Sequence, residues 1–153
     1  MKKVYIAGLL MFGSMVITYA TDDMKTFDAY IENFNIQEVG NMKISAVEML
    51  NMIEENKAIL VDIRFEQEVD AWRIPFAKHI PINELPKRLH ELPKDKLIIT
   101  ACPHNDRANI ARLYLAMKGY KVKYVNDGLL KVVDYLKGAN AFEFANELNK
   151  TGK

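Results

Sequence analysis

Two short and nearly continuous apolar runs constrain this chain most: Ala58-Ile59-Leu60-Val61 and Leu97-Ile98-Ile99-Thr100-Ala101. A run that lacks the alternation of a half-exposed strand belongs to a strand buried on both faces. Such a strand must sit inside a sheet with helices on each side. The segments between the runs fit. Ser45, with Glu48 three residues on, opens a helix whose apolar face is expected from Val47, Leu50 and Ile53. Residues 65–72 form a helix that stops before Pro75, residues 77–82 are extended, and 83–91 form another short helix. A helix over 107–118 carries Ile110, Ala111, Tyr114, Leu115 and Met117 on or near its apolar side, and Gly119 closes it. A third strand (122–125), a turn at Asn126-Asp127-Gly128 and helices over 129–136 and 142–148 complete the pattern. Strands alternating with helices predict an α/β fold with a mostly parallel sheet and helices on both faces.

The N-terminus, MKKVYIAGLLMFGSMVITYA, reads as an address. Lys2 and Lys3 precede an apolar run of 14 residues, and Thr18 and Ala20 put small residues three and one before a cut after Ala20. That is the pattern of a secretory signal peptide, and it predicts export to a periplasm. The alternative is a retained anchor, for which the run is short against the roughly 20 residues a bilayer span needs. The expected division is 1–20 signal peptide, 21–41 N-terminal helical arm, 42–138 main domain and 139–153 C-terminal helix and tail. In the arm, Phe27, Tyr30, Ile31 and Phe34 fall on one helical face, expected to pack on the domain or to join two copies as a homodimer.

Lys and Arg number 21 against 20 Asp and Glu, a balance that gives no electrostatic grip on nucleic acid or an anionic membrane. No membrane association is expected once the leader is removed. His79 and His90 lack partners at ligand spacing, so neither metal nor cofactor is expected. One cysteine, Cys102, excludes an intramolecular disulfide and a multi-thiolate site. It lies at the carboxyl end of a buried strand, where ligands of parallel sheets bind. Pro103, His104, Asn105, Asp106 and Arg107 follow before the next helix. The unpaired N–H groups and dipole of that helix predict a depressed pKa for Cys102. Arg107 adds positive charge and Asp106 offsets it. Asn105 is placed mid-loop as a residue that tolerates a left-handed conformation.

Residues 44–138 resemble a single rhodanese-like domain. Leu60-Val61-Asp62-Ile63-Arg64 with Glu66 and Glu68 is similar to the family's D-x-R-x-x-x-E block. Cys102 to Arg107 matches the active loop C-x-x-G-x-R in length and at both ends, and Gly119-Tyr120-Lys121-Val122 with Asn126-Asp127-Gly128-Leu129 resembles the closing strand and its G-G turn. The G-H-I-P-G-A segment appears as Trp72-Arg73-Ile74-Pro75-Phe76-Ala77, Asn105 replaces the loop glycine, Ala108 the common serine and Asp127 the first turn glycine.

The resemblance implies a sulfurtransferase in which Cys102 is catalytic and residues 103–107 bind substrate. Sulfane sulfur would pass as a persulfide from polysulfide, thiosulfate or a protein persulfide to a thiophilic acceptor, small molecule or protein. Size, export and arm resemble the periplasmic polysulfide-sulfur transferases. Four residues separate Cys102 from Arg107, the sulfurtransferase spacing, whereas related phosphatases and arsenate reductases use one more. Because Asp106 offsets Arg107, thiosulfate is expected to be a weak donor. Asp62, Arg64 and Glu68 are expected to form a structural ion pair, with Trp72 and Phe76 as packing. The rival readings are a non-catalytic binding module of the cell envelope, which the replaced glycines favour, and mixed-disulfide redox chemistry, for which a resolving cysteine is missing.

Overall fold

A computed structural model describes residues 27–150. The expected signal peptide and its cleavage point lie outside the described residues. Five strands, β1 (Lys43–Ile44), β2 (Ala58–Asp62), β3 (Lys78–His79), β4 (Leu97–Ala101) and β5 (Val122–Val125), form one sheet in the order β1-β5-β4-β2-β3. Every pairing is parallel. The seven helices of the described residues are α1 (Phe27–Glu32), α2 (Ile36–Asn41), α3 (Ala46–Glu54), α4 (Glu66–Ala71), α5 (Asp106–Met117), α6 (Gly128–Tyr135) and α7 (Ala139–Lys150). None of these is long and apolar enough to cross a membrane. The segment expected as a helix over 83–91 is two 3-10 turns, Leu85–Lys87 and Leu89–Glu91, because Pro86 interrupts any longer ladder.

Successive residues of the central strands feed opposite cores, as a pleat requires. Leu60, Ile99 and Ala101 join Met49, Leu50 and Ile53 of α3, Leu129 and Val132 of α6 and Phe144 of α7. Val61, Ile98 and Cys102 join Ala108, Ala111 and Leu115 of α5 on the other face. The α3 helix begins as expected, with Ser45 Oγ accepting the Glu48 N–H at 3.2 Å. Its buried stripe is Ala46, Met49, Leu50 and Ile53, however, and Val47 turns outward.

In α5 the expectation for Ile110 fails. The inner stripe runs through Ala108, Ala111, Arg112 and Leu115 at three- and four-residue spacing, which leaves Ile110 63% exposed and puts Arg112 inside. Arg112 is kept there by the arm: Nη1 donates to Glu38 at 3.1 Å and Nη2 to the Tyr30 hydroxyl at 2.9 Å. The arm is therefore two short helices docked through a polar triad. Its apolar residues Phe27, Ile31 and Phe34 point outward instead of packing on the domain. Asn35 divides the two helices by capping α2, its side chain accepting the Glu38 N–H at 3.1 Å.

Candidate active site

β4 carries Cys102 to the sheet's carboxyl edge, one residue past its last paired position. Cys102 is fully buried and faces α5. The Thr100 hydroxyl fixes strand to helix, donating to the Ala108 carbonyl at 2.8 Å. The N–H of the same residue, Ala108, points at Cys102 Sγ at 3.4 Å, and the thiol in turn lies 3.5 Å from Asp106 Oδ1, its acceptor.

These contacts reverse the expected pKa. Burial pushes the Cys102 thiol up; the Ala108 and His104 amides oppose it, and the Asp106 carboxylate adds to the rise. A helix N-terminus is worth about 0.3–1 kcal/mol to a nearby anion, whereas loss of hydration shifts a buried group by up to several pKa units. The second effect wins, so the resting residue is a thiol. Asp106 itself is held below the usual carboxylate range, first by the Arg107 backbone N–H.

Arg107 does not turn its guanidinium to the thiol. Nη1 and Nη2 clasp the two oxygens of Glu68 at 2.6 and 2.8 Å. That fork lowers the Glu68 carboxyl to about 2 and raises Arg107. Glu68 is thus not a third member of the Asp62–Arg64 pair. Arg64 is fully buried: Nε and Nη2 bind the Asp62 carboxylate at 2.6–3.0 Å, Nη2 also donates to the Trp72 carbonyl at 3.0 Å, and the guanidinium stacks 3.6 Å from the Trp72 ring centre. This ties both ends of α4 to β2 and so aims Glu68 at the loop. The Phe65 N–H donates to Glu68 Oε2 at 3.1 Å and fixes the carboxylate from behind.

The loop rests on the start of α6. Leu129 N–H donates to the Cys102 carbonyl at 2.9 Å and Leu130 N–H to the Pro103 carbonyl at 3.3 Å. Gly128, at φ +72°, is the contact point: a Cβ there would stand 2.1 Å from the His104 oxygen and 2.3 Å from the Pro103 oxygen. Gly128 belongs to the site, although the sequence marked it only as part of a turn. Its signal was the N-D-G string ahead of a helix.

Three of the changed family positions, Asn105, Asp127 and Phe76, make local contacts of their own. Asn105, which tolerates a left-handed conformation, does not adopt one: its φ is −150°, and its Nδ2 donates to the Asn126 carbonyl at 2.8 Å. Asp127 accepts the Ala46 N–H at 3.3 Å and helps start α3. Phe76 packs edge-on to Phe144, with 4.8 Å between ring centres. His104 is exposed, and Pro103 is partly buried. His79 Nε2 meets the Arg64 carbonyl at 2.9 Å.

Comparison with known proteins decides the family. The Rhodanese-like domain family matches residues 45–134. The chain belongs to the rhodanese-like family. The protein YtwF of Bacillus subtilis is 30% identical over 89 residues, which cover 58% of this chain and 86% of that protein. The thiosulfate sulfurtransferase GlpE of Pseudomonas syringae is 28% identical over 81 residues, 53% of this chain and 76% of its own length. Other matched relatives are longer, and this chain spans 40% of one and 22% of another. Among solved structures, a rhodanese-related protein from Thermoplasma volcanium superposes with a TM-score of 0.55 at 25% identity, covering 60% of this chain and 90% of the other. Sulfur transfer, as an enzyme class, is what this rhodanese-like membership supports.

Proposed function

We propose that this rhodanese-like protein carries sulfane sulfur as a persulfide on Cys102, in the periplasm, after residues 1–20 are removed. The donor is polysulfide or a protein persulfide, with thiosulfate the weaker substrate, and the acceptor is a thiophile. The observation that carries the reading is the Cys102 thiol under its loop, with the Ala108 N–H on its sulfur and Asp106 as its acceptor. Loss of the thiol proton creates the nucleophile. Attack on a sulfane sulfur forms a bond to Sγ while the donor fragment leaves with the electron pair of the broken bond. The acceptor then takes the outer sulfur, and the Cys102 thiolate is the leaving group. Loop amides stabilise the negative charge in between.

The replaced glycines no longer favour a binding module, since Asn105, Asp127 and Phe76 each make a defined contact of their own. The test is intact mass after incubation with polysulfide and with thiosulfate, beside Cys102→Ser. A gain of one or a few sulfur atoms, removed by cyanide and absent from the variant, is the expected result. No gain in mass while Cys102 still alkylates would overturn it in favour of the binding module. N-terminal sequencing of the periplasmic fraction is expected to begin at Thr21; full-length protein in the membrane fraction would refute the export reading.

A further inference from the structure

An anion already stands beside the buried thiol. The exposed Asp106 carboxylate accepts the Cys102 S–H hydrogen bond at 3.5 Å and also the backbone N–H of Arg107. The Arg107 guanidinium gives its hydrogen bonds to Glu68, so it acts on the thiol and on Asp106 only through space, and its charge is largely matched by the Glu68 carboxylate. Counting Glu68, Asp106 and Arg107, the immediate surroundings of the thiol are net negative. The rim is apolar. Phe65 and Leu130 are 42% and 49% exposed, and Ile110, one turn beyond Asp106, is 63% exposed. The Phe65 ring centre is 5.9 Å from the Arg107 guanidinium carbon, and the Leu130 amide is bonded to Pro103. Cys102 is fully buried, so the loop must open for a donor to reach it, and that donor meets the Asp106 carboxylate 3.5 Å from the sulfur and this rim around it.

Resting on the carrier reading above, we infer that Asp106 is a specificity-determining residue that disfavours compact inorganic dianions, thiosulfate above all, so that among the donors named there an organic persulfide of low charge, such as a protein persulfide, is preferred over inorganic polysulfide. The transfer balances without an oxidant. Sγ of Cys102 bonds to the outer sulfur of R–S–SH, and the R–S to sulfur bond breaks with its electrons on R–S. The proton lost by Cys102 ends on that thiolate, leaving Cys102–S–SH and R–SH. Thiosulfate concentrates two negative charges next to the attacked sulfur and meets the carboxylate directly, whereas an organic donor brings fewer charges and an apolar body for the rim.

The experiment measures kcat/KM with thiosulfate and with benzenethiosulfonate, a monoanion of the same donor chemistry, using cyanide as acceptor. The purified wild type is compared with Asp106→Asn, Asp106→Glu and Phe65→Ser/Leu130→Ser. The wild type is expected to favour benzenethiosulfonate. Asp106→Asn should raise thiosulfate activity on the order of tenfold, and by much less for the monoanion, as expected for removing one charge near a dianion in a partly hydrated site. Asp106→Glu should keep the wild-type ratio. The rim variant should lose activity with benzenethiosulfonate and not with thiosulfate. An unchanged donor ratio in Asp106→Asn, or a wild type that prefers thiosulfate, overturns the inference while the carrier reading stands. If neither donor loads Cys102, both fall together.

Discussion

Gly128→Ala is the most severe small change the structure offers near the loop. The residue sits at φ +72°, which costs a non-glycine residue about 1–2 kcal/mol. Its new Cβ would face the His104 and Pro103 oxygens at 2.1 and 2.3 Å, far inside contact distance. The obstructing atoms are backbone, so the loop must retreat from α6. That retreat stretches the bonds from Leu129 to Cys102 and from Leu130 to Pro103. Each is worth about 1 kcal/mol, so the expected loss is about 3–4 kcal/mol. Gly119→Ala is the matched control, since Gly119 has φ +76° with nothing within 4 Å of a Cβ. It should lose only the backbone part, about 1–2 kcal/mol. Urea unfolding followed by the single tryptophan, Trp72, reads both variants. Persulfide loading of Cys102 should fall by about 100-fold in Gly128→Ala, the scale expected when a reacting group is misplaced by about 1 Å. Equal stabilities for the two variants, with unchanged loading, would refute the claim that Gly128 supports the loop.

Two other perturbations separate the ion pairs by their role. Glu68 titrates at about 2 in the folded protein, below its ordinary value, so the Arg107 pair adds stability above about pH 4.5 that is lost as pH falls toward 2. Glu68→Gln should therefore cost about 1 kcal/mol at pH 7, after allowance for solvent screening of a part-exposed pair, and the gap to wild type should close between about pH 4.5 and 2 in thermal melts; a gap independent of pH would contradict this. Arg112→Met should free the arm, since Glu38 and Tyr30 lose their shared donor. Hydrogen exchange over 27–41 should accelerate while the sheet stays protected, at a global cost of about 1 kcal/mol or less; a uniform acceleration would mean that the arm is part of the core.

The order of strands and helices was legible because β2 and β4 are continuous apolar runs with no competing period. The two-residue strand β1 was not, since two residues carry no period, and β3 was legible only as part of the extended stretch 77–82; their pairing comes from neighbours far along the chain, Ile44 beside Val125 and Asp62 beside His79. The site was legible as a list of residues and illegible as a set of partners. Cys102, Asp106 and Arg107 stand out at the end of a buried run, but Arg107 finds its carboxylate 39 positions away, on α4. Distance of that kind leaves no local trace. The same limit reversed the protonation of Cys102. A motif shows the helix that favours a thiolate, whereas burial, which favours the thiol, depends on how deeply α5 packs on the sheet. Because the effects differ in size, the deeper packing decides, and the thiol must be exposed or stripped of Asp106 before it reacts. The acid at a position that the family pattern C-x-x-G-x-R leaves unspecified thus adds to the rise that burial imposes on the thiol.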